Sequence, residues 1–176
     1  MSLADPAFNP AEPVLSLTDV ADEAARAFIL DSLRAYNTAA SPGHRAIRQP
    51  GAIRPLDVFL RDADESPISL VSPEGSPSAA AAGRIVGGLI GSTQWDWLNV
   101  DYFWLAESVR LRGYGSRLLR LAEDEAIRRG CRHSRLETFS FQARGFYEKN
   151  GYRVVGQLDG FPPGGVLYWL RKDFDL

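Results

Sequence analysis

Leu105-Ala106-Glu107-Ser108-Val109-Arg110-Leu111-Arg112-Gly113-Tyr114-Gly115-Ser116-Arg117-Leu118-Leu119 is the stretch on which the reading of this chain turns. A strand-like run ends at Leu105, a loop with two glycines follows, and an apolar stripe at helical spacing (Leu118, Leu119, Ala122, Ala126) then begins. Glycine tolerates positive φ and close backbone approach, while the unpaired N–H groups and dipole of a helix start favour a phosphate. Two phosphate-binding patterns fail here. Position 118 is Leu where a dinucleotide fingerprint needs a third Gly, and no Gly-Lys-Ser/Thr is present. The local charge still suits an anion: residues 107–135 hold eight Arg against four acids, a net +4 in a chain of formal charge −2. The remainder is therefore −6. Arg112 and Arg117 flank a helix N-terminus, where the dipole ordinarily prefers acids, and an anionic ligand would explain the inversion.

Upstream, residues 14–17 are a strand candidate, and Thr18 or Asp19 can cap a helix reaching about Thr38, with Ile29, Leu33 and Tyr36 on one face. Ser41-Pro42-Gly43 stops it, residues 45–54 read as an irregular connection and 56–60 as a strand. Residues 62–83, rich in Ser, Pro and Ala, read as a long mobile loop between two antiparallel strands. Strands follow at 84–93 and 99–105 around a turn carrying Trp95 and Trp97. After the helix, which ends near Arg129-Gly130, come a strand at 135–139, a short helix at 142–150, and strands at 152–158 and 166–171. This order predicts an α/β fold with a mixed, mostly antiparallel sheet of about seven strands flanked by helices. With 176 residues, a single domain over 14–172 with a tail at 1–13 is expected.

Composition excludes several classes. A net charge of −2 argues against a nucleic-acid-coating protein, and the single Cys131 rules out an internal disulfide and suggests a reducing compartment. Only His44 and His133 are available, so no metal site is expected. Residues 1–13 lack a basic region followed by an apolar core, and residues 85–95 are too short to span a bilayer. The expectation is a cytoplasmic protein with no membrane or nucleic-acid partner, its oligomeric state open and a homodimer among the options.

Arg110, Gly113 and Gly115, followed by Leu118-Leu119, match Gln/Arg-x-x-Gly-x-Gly/Ala; downstream stands Phe146-Tyr147-Glu148-Lys149-Asn150-Gly151-Tyr152. Together these resemble the GNAT superfamily of N-acetyltransferases. Phe141-Gln142-Ala143 and Phe161-Pro162-Pro163-Gly164 are similar to one bacterial subgroup of it. The resemblance implies acetyl-CoA as co-substrate. Backbone from Leu105 and Ala106 to Val109 would hold the pantetheine arm and thioester, and the amides of Arg110, Leu111, Arg112, Gly113, Tyr114, Gly115 and Ser116 the pyrophosphate. Gln142 would join the cofactor-binding set. Tyr147 matches the tyrosine proposed as general acid for the departing thiolate. Two positions depart from the pattern: Ser140 stands where relatives commonly have Asn, and Gly165 where the subgroup has His.

Acetyl transfer to an amine needs a neutral nucleophile. An alkyl amine of pKa near 10.4 is neutral about once in 2,500 at pH 7, a penalty of about 4.6 kcal/mol that a general base must help to offset. By strand alternation Asn99, Asp101, Phe103 and Leu105 share one face, making Asp101 the leading base and Glu137 the reserve. A strand N–H near Leu105 could polarise the carbonyl. Trp95, Trp97 and Trp104 read as core residues before pocket walls, and Cys131-Arg132-His133 as a helix-end turn before a nucleophile. The expected activity is transfer to a primary amine, with a small molecule favoured over a peptide. The alternative, suggested by Ser140, Asn99 and Gly165, is an acyl-CoA-binding sensor without turnover.

Overall fold

The computed structural model describes residues 15–62 and 83–175. The chain divides into two units, 1–42 and 43–176. In the first, helix α1 spans Glu23–Ala40. Its cap is Asp22, later than the expected Thr18 or Asp19, because Asp22 has the extended backbone that a cap requires and its carboxylate accepts the Ala25 N–H at 2.9 Å. Thr18 is used in a local turn instead, accepting the Val20 N–H at 3.1 Å. The strand expected at 14–17 does not form over residues 15–17, and position 14 lies outside the described residues. A short helix, α2, follows at Pro42–Ala46, overlapping the stretch that reads as irregular connection.

The second unit is built on a sheet with six strands among the described residues, somewhat fewer than the approximate seven expected. They are β1 (Ile53–Arg61), β2 (Ile85–Gln94), β3 (Trp97–Leu105), β4 (His133–Phe139), β5 (Arg153–Asp159) and β6 (Val166–Asp173). They lie in the order β1-β2-β3-β4-β6-β5, with β3–β4 parallel and the other neighbours antiparallel. The chain between β1 and β2, where the sequence predicts a mobile loop, lies outside the described residues except at its ends. There the Asp62 N–H donates to Arg84 O at 2.8 Å.

Helix α3 (Tyr114–Arg128) carries the chain from β3 to β4. As its spacing predicts, Leu118, Leu119, Ala122 and Ala126 are buried. Leu119, Ala122 and Ala126 share a core with Leu56, Leu89, Leu98, Val100, Leu136 and Leu170 from five strands. Burying one such leucine contributes roughly 1.5–3 kcal/mol. Gly130, at φ 91°, closes the helix, and a final helix α4 spans Arg144–Lys149. No described helix is long and apolar enough to cross a membrane.

One irregularity decides the geometry of the site. Gly91 pairs with Val100 but Ile90 pairs with Tyr102, so Asp101 is the extra residue of a β-bulge. Gly91 permits it, since a Cβ there would collide with the Asn99 carbonyl oxygen. The bulge breaks the alternation read from the sequence: Val100 and Phe103 both belong to the α3-side core, and Leu105 lies against Gly115 of α3. Asn99 therefore does not share a face with Phe103 and Leu105.

Candidate active site

Beyond Val100↔Leu136 the parallel ladder between β3 and β4 stops, although both strands continue, to Leu105 and Phe139. The Ala106 N–H donates to Val86 O on β2 at 2.8 Å. Because N–H directions alternate along a strand, the Leu105 N–H points to the opposite edge, where β4 has parted from β3. A short 3-10 turn (Glu107–Val109) follows, then Leu111 at φ 59° and Gly113 at φ 80°, which caps α3. The first helical bond is Arg117 N–H to Gly113 O at 3.2 Å. The amides of Gly113, Tyr114, Gly115 and Ser116 thus have no acceptor within the helix and form an anion cradle. Residues 105–116 are brought together as one continuous loop.

The side chains there play different parts. Arg110 donates from Nε to Leu105 O at 2.9 Å and so braces the loop. Arg112 is exposed, and the Arg117 guanidinium lies over the Tyr114 ring at 5.6 Å. Gly113 supplies a left-handed turn in open space. Gly115 is buried, and a Cβ on it would meet the Phe146 ring at 3.1 Å and Leu105 Cδ1 at 3.4 Å. That contact seats α4 against the cradle. A nucleotide pyrophosphate fits these donors, the helix dipole and the flanking guanidiniums.

Tyr147 on α4 is buried among Phe103, Phe146 and Tyr152, with ring centroids 5.1–6.4 Å away. Burial pushes its hydroxyl up to about 12, so it keeps its proton throughout the physiological range. Gln142 Oε1 accepts from the Phe139 N–H at 2.9 Å and from Thr138 Oγ1 at 3.1 Å, closing the end of β4.

A cleft of about 720 Å³ opens on the sheet, lined by residues of β3, β4, β5 and β6. Asp101 and Glu137, the two acids singled out from sequence, both line it, and each is the first residue of its strand past the last β3–β4 ladder pair. Trp169 faces Glu137 across β4–β6 and donates Nε1 to Glu137 Oε1 at 3.0 Å. Asn99, Arg135 and Arg171 line the cleft too. These three and Trp169 carry no motif; only cross-strand register, hidden from the sequence, brings them together. Of the tryptophans that read as core, Trp97 is a cleft wall, Trp95 borders a neighbouring hollow and donates to Gly43 O at 2.9 Å, and Trp104 is exposed.

The two positions that depart from the pattern are structurally occupied. Ser140 Oγ accepts the Val166 N–H at 3.1 Å, tying β4 to β6. Gly165 lies so near Pro162 that a Cβ would meet its ring at 3.1 Å. Cys131 is buried and its thiol is pushed up by burial and by Asp96, the opposite of an activated nucleophile. His133 Nδ1 lies 2.5 Å from Asp173 Oδ1, and no group of three or more metal-capable side chains occurs among the described residues.

Known proteins resemble this chain in sequence and fold. The model of the acetyltransferase (GNAT) family matches residues 32–152. The chain is 36% identical over 147 residues to the blasticidin-S acetyltransferase of Streptomyces morookaense, covering 82% of this chain and 97% of that protein. It is 32% identical over 158 residues to an acetyltransferase of Agrobacterium fabrum, covering 90% and 97%. The crystal structure of an acetyltransferase from Bacillus cereus superposes with a TM-score of 0.70 at 28% identity, covering 90% of this chain and 98% of that one.

Proposed function

Since the chain belongs to the GNAT family of acetyltransferases, we propose that it moves an acetyl group from acetyl-CoA to a primary amine of a small molecule by direct attack on the thioester. The observation that carries this reading is the parting of β3 and β4 after Val100↔Leu136, with an amide cradle beside it and two carboxylates at the fork.

Each group then has a role. The amides of residues 113–116 hold the pyrophosphate. The Leu105 N–H donates to the thioester oxygen as negative charge develops. Asp101, with Glu137 in reserve, takes the proton that the ammonium must lose; the new C–N bond forms and the C–S bond breaks. Tyr147 donates to the departing sulfur. Full transfer from a hydroxyl near 12 to an ordinary thiolate of pKa about 8.5 would run uphill by about 5 kcal/mol, so Tyr147 stabilises the thiolate through a hydrogen bond. A small acceptor is supported by the relative named for acetylating blasticidin S and by a cleft of about 720 Å³, a size suited to a small molecule.

The test follows free-thiol release from acetyl-CoA across a panel of small primary amines that includes blasticidin S, with a peptide amine as control. Release with at least one small amine is expected; CoA binding without release from any amine overturns the reading. In the same assay Asp101→Asn lowers kcat/KM by about a hundredfold at pH 7, the usual size of a lost general base. A larger loss in Glu137→Gln would transfer the role to Glu137.

A further inference from the structure

The cleft is bipolar, and its basic end is unlike an ordinary sheet surface. Arg135 on β4 and Arg171 on β6 line it, and with Arg153 on β5, outside the lining, they are directly opposite one another in register, three arginines in one row across adjacent strands. Like charges placed opposite are destabilising unless something compensates them. Asp173 does so for two, lying 2.6 Å from Arg171 and 3.0 Å from Arg153. Arg135 has no carboxylate partner among the described residues; its Nε donates to Asn99 Oδ1 at 2.5 Å. A guanidinium only donates, so this bond fixes the orientation of the Asn99 amide and leaves Nδ2 as its remaining donor. Asn99 is 5% exposed, lines the cleft, and its Nδ2 is buried without a partner among the described residues. A buried amide nitrogen left so costs on the order of 1–3 kcal/mol, which an acceptor group on a ligand would recover.

Glu137 stands two residues along the same strand from Arg135, about 6.6 Å away on the same face. The cleft thus presents a carboxylate at the fork, where the amine must react, and a guanidinium with an amide donor one pleat further on. Trp97 and Trp169 are among its walls.

We propose that the acceptor is zwitterionic: its amine is received at Asp101 and Glu137, and a carboxylate about 6–7 Å away is held by Arg135 and Asn99 Nδ2. This deepens the acetyl-transfer reading and rests on it. Arg135 is thereby a specificity-determining residue, and amines without the anion are poor acceptors.

The test uses the full chain and two flat probes, 4-(aminomethyl)benzoate and its carboxamide, 4-(aminomethyl)benzamide, titrated by calorimetry and assayed for thiol release. The benzoate is expected to bind at least about tenfold tighter, the size of one charge-assisted hydrogen-bonded contact. Arg135→Gln brings the ratio below about threefold, Asn99→Asp does the same by placing an anion beside Arg135, and Arg135→Lys, which keeps the charge but loses the fork, falls between. Equal affinity for the two probes, binding of neither, or a preference that survives Arg135→Gln overturns the proposal. A preference that collapses in the variants while no amine releases thiol upholds the anion subsite and overturns acetyl transfer. Thiol release without preference does the reverse.

Discussion

The cradle and the cleft meet at the end of the β3–β4 ladder, yet they are made of different material. The cradle is one continuous run, residues 105–116, and presents backbone N–H groups, with Arg110 bracing it through Leu105 O. The cleft gathers side chains from residue 97 to residue 171, and their chemistry exists only once four strands lie in register. A backbone site is tolerant of side-chain identity except where a glycine is sterically required; a side-chain site is sensitive at each position. Substitutions in the two regions should therefore fail differently.

The largest of these effects is expected at Tyr147, in the core beside the cradle. Tyr147→Phe should lower kcat tenfold to a hundredfold, the worth of a hydrogen bond to a charged sulfur, with little change in KM for either substrate. A loss under threefold would remove Tyr147 from the chemistry. Next, Gly115→Val should push the Phe146 ring and Leu105 out of place and weaken acetyl-CoA binding about tenfold, since overpacking of this kind costs 1–3 kcal/mol. Calorimetry with CoA measures it, and an unchanged affinity would detach the cradle from the cofactor. Smaller still, replacing Arg112 and Arg117 together by Gln should weaken CoA binding about fivefold at low salt and less at high salt, as expected for exposed charges. If CoA affinity does not move at any ionic strength, the positive patch is only surface.

The smallest effect concerns the ion pairs beside the arginine row. Arg171 and Arg153, with His133, hold the Asp173 carboxyl down at about 2 from its ordinary 3.8. A carboxylate depressed on folding stabilises the protein above its unfolded pKa and loses that contribution as pH falls through the folded value. Asp173→Asn should thus lower Tm slightly at neutral pH, and the gap to wild type should close between about pH 4 and pH 2. A gap that persists at pH 2 would mean that Asp173 acts through packing or its neutral hydrogen bonds.

The two acids show how a sequence can point to residues that line the cleft for an incomplete reason. Strict alternation puts Asp101 beside Asn99, but the chain bulges at Asp101 itself, which keeps Asp101 on the cleft while sending Phe103 and Leu105 to the helix side. The bulge depends on Gly91, on a different strand, and no local pattern around Asp101 announces it. Trp169 is invisible to a local reading for a similar reason: its relation to Glu137 is a cross-strand pair between residues 32 positions apart. Helix α3, by contrast, is legible to its cap, because the apolar stripe, Gly113 and Gly130 are all local signals. The cap of α1 is not, because three candidate oxygens lie within five residues, and only backbone conformation selects Asp22.

The sequence by itself determined the strand–loop–helix cradle, the α3 stripe and the family resemblance, since glycine freedom, helix period and free amides at a helix start act over a few residues. Only the tertiary structure decided the parting of β3 and β4, the bulge, the bipolar cleft and the row of three arginines. Those arise from register between strands distant along the chain, where one residue of slip moves a side chain to the other face.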